Sequence, residues 1–136
     1  MVTYVDTSAL LAWLLVDDHV PEQSFWAEAL VSSRLAEYEV HCRLSALAPA
    51  DDTLRQEAVE LLRRLRFVEL SPVALRRVLL PFPRPVRTLD AIHLASALLL
   101  WKSEPEFRLA TYDRRLSEVS VELGMDLHPT VRPAET

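Results

Sequence analysis

Four acidic residues, Asp6, Glu39, Asp90 and Asp113, stand where apolar strands end or where apolar helix faces begin. Each is flanked by residues that belong in a core, so a fold that gathers them makes a carboxylate cluster. Buried carboxylates are costly alone and repel one another when grouped, unless protons or cations neutralise them. A hard divalent ion held by oxygen atoms resolves that conflict. All four acids are therefore candidate catalytic and metal-binding groups.

Each acid also has a simpler explanation. Asp6 follows a β-rich run and Asp113 precedes a helical pattern, so either can cap a helix. Asp90, in the first turn of its helix, gains about 0.3–1 kcal/mol from the helix dipole. The dipole does not account for its place on the side carrying Leu94, Ala97, Leu98 and Trp101. Stepping about 100° per residue, Leu35, Ala36, Val40, Cys42, Leu44, Ala46 and Leu47 form one apolar arc that includes Glu39. Glu37 falls opposite, with Arg34, His41 and Ser45. The competing reading for Glu39 is an ion pair with Arg43, one turn on. Caps alone do not explain two acids at strand ends together with two on inward helix faces. His93, one turn beyond Asp90, is expected to pack at the rim and hydrogen-bond a neighbour; a role as base or phosphate contact is the alternative.

Other chemistries fit the residues less well. With a single glycine, Gly124, the chain has no P-loop and no dinucleotide fingerprint. His19, His41 and His128 lack zinc-ligand spacing among themselves or with Cys42. Cys42 reads as a core residue rather than a nucleophile, and no Gly-x-Ser-x-Gly elbow occurs. Phosphotransfer of the haloacid-dehalogenase type needs an acid two residues after the first aspartate, where Ser8 stands. The receiver type expects a late lysine, but Lys102 falls within a helix.

The elements that must position the acids alternate. Val2–Val5 reads as a strand, with Thr7 or Ser8 capping a helix over Ala9–Val16. A short helix is expected around Pro21–Ala29, a strand at Leu30–Ser32, and a helix from the Ser33 cap to Leu47. Helical spacing resumes over Thr53–Leu65, then a strand at Arg66–Leu70 and a helix opened by Ser71-Pro72. The proline-rich run Pro81–Pro85 forms a rigid loop. Thr88 caps Leu89–Trp101, Phe107–Thr111 is a strand, and Arg114–Leu123 a helix stopped by Gly124. Met125–His128 is expected as a last strand, with a frayed tail over Pro129–Thr136. Such alternation predicts a single three-layer α/β/α domain over residues 1–128 around a short parallel sheet. In such sheets ligands bind at the carboxyl ends of the strands, where Asp6 and Asp113 fall.

The chain has 136 residues, half of them apolar, enough for one continuous core. Its longest apolar stretches are too short to span a bilayer, no signal peptide is visible, and one cysteine fits a reducing compartment. A cytoplasmic protein is expected. The net charge of −5 argues against broad nucleic-acid binding through a basic surface. Among 15 basic residues only Lys102 is a lysine, and arginine grips phosphate in a two-pronged way that lysine cannot.

Four segments carry a resemblance: Val-Asp-Thr-Ser-Ala-Leu-Leu at 5–11, Ser-Arg-Leu-Ala-Glu-Tyr-Glu-Val at 33–40, Arg-Thr-Leu-Asp-Ala-Ile-His-Leu-Ala at 87–95 and Ala-Thr-Tyr-Asp-Arg-Arg-Leu at 110–116. In order, spacing and total length the chain resembles a PIN domain, and within that superfamily a VapC-type toxin ribonuclease. The resemblance implies a PIN-like fold and a metal-binding role for Asp6, Glu39, Asp90 and Asp113. It also implies that Thr7 or Ser8, with Thr111, lines the pocket through hydroxyls. A further acid that some members carry about one turn after the last aspartate is replaced here by Leu116 and Ser117. The implied activity is Mg²⁺- or Mn²⁺-dependent cleavage of single-stranded or looped RNA by metal-activated water. Implied partners are a cognate VapB-like antitoxin that pushes a basic side chain into the acidic pocket, and a second copy in a homodimer, with the Ser71–Leu80 segment a candidate surface. Arg87, Arg114 and Arg115 flank the pocket-forming segments and can hold phosphates, as can Arg43 if it does not pair with Glu39. The competing function is a PIN-like binding or regulatory module with a weak or inactive pocket.

Overall fold

The computed structural model describes residues 1–135. Strand β1 (Val2–Val5) leads into α1 (Thr7–Leu14), and a 3₁₀ turn (Gln23–Ala27) precedes β2 (Leu30–Ser33). Helices α2 (Arg34–Leu47) and α3 (Asp52–Leu62) follow, then β3 (Arg66–Val68) and the short α4 (Pro72–Arg76). The chain finishes with α5 (Thr88–Ser103), β4 (Phe107–Ala110) and α6 (Arg114–Glu122). The four strands are all parallel, in the order β3-β2-β1-β4.

Period-2 alternation sends successive strand residues to opposite faces. Val5, Leu30 and Ala110 join a core under α1, α2 and α3, built with Leu10, Phe25, Val40, Leu44 and Leu61. Val2, Tyr4, Val31, Phe107 and Leu109 face the other way, onto Leu94 and Ala97 of α5 and Leu116 and Val119 of α6. Helices thus cover both faces, the three-layer arrangement expected of a parallel sheet. β1 has β2 on one side and β4 on the other, so the chain leaves it in opposite directions around Asp6. Such a switch point opens a crevice at the carboxyl ends of the strands.

Several boundaries moved. Helix α1 starts at Thr7 rather than Ala9, with Asp6 at the cap position, and ends at Leu14; Val16, at φ 53°, lies beyond it. The segment expected as a helix near Pro21–Ala29 is only a 3₁₀ turn. Arg87 rather than Thr88 holds the cap position of α5, so Thr88 is its first helical residue. The last strand is reduced to one parallel bridge between Leu109 and Leu127. Gly124 does stop α6, at φ 96°, a conformation costly for residues with a Cβ.

The expected fraying after His128 is corrected by Val131, which is 1% exposed and packs in the α1–α3 core. Its carbonyl accepts the Thr111 N–H at 3.1 Å, and the His128 ring Nδ1 accepts the Val131 N–H at 3.0 Å. A valine buried among apolar neighbours anchors a segment expected to fray. Thr136, the last residue of that expected tail, lies outside the described residues.

Candidate active site

Asp6, Thr7 and Ser8 stand at the junction of β1 and α1, and Asp113 at that of β4 and α6. Glu39 comes from the second turn of α2 and Asp90 from the first turn of α5. All four acids line one open cleft of about 750 Å³ with Thr7, Ser8, Arg43, Arg87 and His93. The parallel order brings this about. β1 and β4 are neighbours, so their carboxyl ends deliver Asp6 and Asp113 side by side, while α2 and α5 approach from opposite faces.

Asp6 occupies a cap position but its side chain caps nothing. Its Oδ1 instead accepts the Ser8 hydroxyl at 2.7 Å. Ser8 Oγ also accepts the Tyr112 N–H and lies 3.2 Å from the Thr111 hydroxyl. Since the Ser8 proton goes to Asp6, Thr111 donates to Ser8, and Thr111 Oγ1 in turn accepts the Asp113 N–H at 2.9 Å. Burial raises the Asp6 carboxyl from 3.8 to about 6, against the lowering effect of His93, Ser8 and Thr111. The Asp113 charge adds to the rise. Burial and then the Asp113 charge also raise Asp90. Glu39 is lowered: burial pushes it up, but the hydrogen bond and charge of His93 and the Thr7 hydroxyl outweigh burial. Burial and the nearby Asp113 charge thus raise Asp6 and Asp90, and Glu39 escapes by finding donors.

The simple alternatives divide. Asp113 does cap its helix, Oδ1 accepting the Leu116 N–H at 2.9 Å, which leaves the other oxygen for the cleft. The Glu39–Arg43 ion pair is not formed; Glu39 Oε1 meets His93 Nε2 at 2.5 Å and accepts Thr7 Oγ at 2.7 Å. Among the described residues Arg43 and Arg87 make no ion pair, and both line the cleft. Arg114 is committed to the Ala134 carbonyl at 2.7 Å, and Arg115 is exposed away from the cleft lining. Thr111 is fully buried beneath the cleft and braces Ser8 rather than lining the wall. Cys42 is exposed and lines the cleft instead of packing in the core. The apolar arc of α2 was drawn too wide: only Ala36, Val40 and Leu44 are buried. His93 is not at the rim but 3% exposed in the floor of the cleft, bonded to Glu39 and Tyr4. Tyr4 was missed as a member of the site, since in sequence it is one more apolar strand residue.

The donors are oxygens of carboxylates and hydroxyls, the set preferred by hard cations such as Mg²⁺ or Mn²⁺. Among the described residues, however, no three of the His, Cys, Asp and Glu side chains are drawn into a closed ligand group. An open arrangement suits Mg²⁺, which keeps several waters and needs only one or two carboxylates. The residues fit such an ion in chemistry, as an open site rather than a cage.

Comparison with known proteins agrees with this architecture. The PIN domain family model matches residues 3–122. The chain belongs to the PIN-domain family, and within it to the VapC type. Ribonuclease VapC35 of Mycobacterium tuberculosis is 30% identical over 128 residues, which cover 90% of this chain and 92% of that protein. The crystal structure of PAE2754 from Pyrobaculum aerophilum superposes with a TM-score of 0.57 at 21% identity, covering 88% of this chain and 87% of that one. The three-layer fold is thus shared with a solved protein of distant sequence.

Proposed function

We propose that the protein is a divalent-metal-dependent endoribonuclease, the toxin of a VapBC-type toxin–antitoxin pair acting in the cytoplasm. The observation that carries this reading is the cleft, in which four acids from four separate parts of the chain share one opening with Arg43 and Arg87, which make no ion pair among the described residues. The name of the VapC35 relative, a ribonuclease, supports the substrate class. Asp6, Glu39, Asp90 and Asp113 would hold the cation. When bound, a divalent ion supplies Lewis acidity to phosphate and water oxygens, and positive charge that an acidic protein otherwise lacks.

The chain's own residues do the rest. The Thr111–Ser8–Asp6 series of hydrogen bonds holds the Asp6 carboxylate in one orientation, and Thr7 does the same for Glu39. Arg43 and Arg87 bind the phosphates flanking the scissile one, through the two-pronged contacts guanidinium favours. An open cleft admits single-stranded or looped RNA, whose backbone can bend into it. The acidic pocket and the net charge of −5 suit a cationic inhibitor segment, as a VapB-like antitoxin would supply. Val73, Leu75, Leu79 and Leu80 are exposed apolar residues in and just after α4 and form the candidate homodimer surface. The competing reading, a binding module with a weak pocket, draws on the lack of a closed ligand group among the described residues.

Incubation of the purified chain with total RNA and Mg²⁺ or Mn²⁺, followed by mapping of fragment ends, separates the two. Several kcal/mol of transition-state stabilisation through the metal site corresponds to a loss of about 100-fold or more in Asp90→Asn. Cleavage by Asp90→Asn at the unaltered rate removes the nuclease reading.

A further inference from the structure

Under the cleft a hydrogen-bonded series crosses three elements. The Tyr4 hydroxyl on β1 lies 2.7 Å from Nδ1 of His93 on α5, and Nε2 of that ring lies 2.5 Å from Glu39 Oε1 on α2. Tyr4 is fully buried and His93 nearly so, with the two rings edge to face at 6.0 Å. An ionised carboxylate only accepts, so the hydrogen between Glu39 and His93 belongs to Nε2. Burial keeps the Tyr4 phenol protonated, and its O–H finds an acceptor in Nδ1. The Thr7 hydroxyl donates to the same Oε1, and among the described residues nothing bonds Glu39 Oε2.

We infer that His93 is a positioning residue for Glu39: fixed in its Nε2–H tautomer by the Tyr4 hydroxyl, it pins one carboxylate oxygen of Glu39 and leaves the other free to ligate. The inference rests on the reading of Glu39 as a cation ligand. It gives the buried ring a task that neither the cap nor the core packing of α5 requires. Groups that orient metal ligands from behind typically contribute 10- to 100-fold in metal affinity.

Two measurements on the full chain test it. Long-range proton–nitrogen NMR of the ¹⁵N-labelled, metal-free protein reads the His93 tautomer, and calorimetric titration with Mn²⁺ reads affinity. The expected tautomer has a bare Nδ1 and a protonated Nε2. Glu39→Gln shifts the Nε2–H resonance, and Tyr4→Phe yields a mixture of tautomers. Mn²⁺ affinity falls about 10-fold or more in His93→Leu. Tyr4→Phe, which removes one hydroxyl and keeps the ring, weakens binding in the same direction. His93→Gln, whose side-chain amide keeps an N–H donor, recovers most of the loss. An Nδ1–H tautomer, or unaltered affinity in both His93→Leu and Tyr4→Phe, overturns the inference. Absence of Mn²⁺ binding by the unaltered chain sinks the cation reading instead, and the response of the metal-free Nε2–H resonance to Glu39→Gln tells the two failures apart.

Discussion

Asp6 carries the largest conflict in the cleft, a carboxylate buried beside a second acid and released from capping duty. Its raised pKa has a definite consequence for stability. An acid whose folded value lies above its unfolded one binds protons on folding, so the native state loses stability as pH rises from 3.8 through about 6. At neutral pH the full cost is present, up to about 3 kcal/mol at 1.36 kcal/mol per unit. Asp6→Asn should therefore raise the stability of the metal-free protein at pH 7, and the gain should vanish below pH 3.8. Urea denaturation in the presence of a chelator measures this; an unchanged or lower midpoint at pH 7 contradicts the burial argument. Millimolar Mg²⁺ should restore stability to the unaltered chain and not to the variant, since ligand binding to the native state alone stabilises it.

The helices contribute through packing rather than through intrinsic preference. In α5, Leu94 and Ala97 are buried in the layer formed with Tyr4, Val31 and Leu109 of the sheet, and this packing holds Asp90 and His93 at the cleft. Leu94→Ala leaves a cavity in that layer and should cost about 2–5 kcal/mol, read as a shift in denaturant midpoint with an unchanged slope. Helix α6 depends on its two ends. Asp113 caps the first turn, and Gly124 ends the last at φ 96° with Trp101 3.4 Å from where a Cβ would stand. Gly124→Ala should destabilise by about 1–2 kcal/mol, the cost of a left-handed conformation for a residue with a Cβ. A midpoint within error of the unaltered protein would mean that the turn has another way to close.

The edge of the sheet away from the cleft is held by a charge cluster. Glu28, before β2, accepts from Thr3 on β1, from Arg108 on β4 and from His128 near the carboxyl end. Burial raises its carboxyl, but the His128, Arg108 and Thr3 hydrogen bonds outweigh that and leave it below the usual range. A lowered acid contributes stability that is present above its unfolded value and lost as pH falls through the folded one. Glu28→Gln should therefore destabilise at pH 7, with the difference shrinking as pH falls below 4.5. Equal sensitivity of both proteins to acid would remove the cluster as a source of that stability. This clasp joins β1, β4 and the Val131 segment, so it ties the two sides of the switch point together from beneath.

The alternation of strands and helices and the parallel sheet were legible in the amino-acid order, because hydrophobic period and chain punctuation are local properties, and the four acids singled out there line one cleft. Asp6 and Asp113 could be placed on the ligand edge once the strands were taken as parallel. What each acid bonds to was not local. Glu39 had Arg43 one turn away, yet its partners are His93 and Thr7, 54 and 32 positions distant along the chain. Cys42 and the width of the α2 arc were misjudged because helical spacing reports a direction around an axis, not what lies opposite. The anchoring of Val131 likewise depended on a core assembled from several distant elements. The order of residues determined which groups are available for chemistry, and the packing of the sheet against two helix layers decided which of them meet, since hydrogen bonds between distant elements form only after the chain has closed.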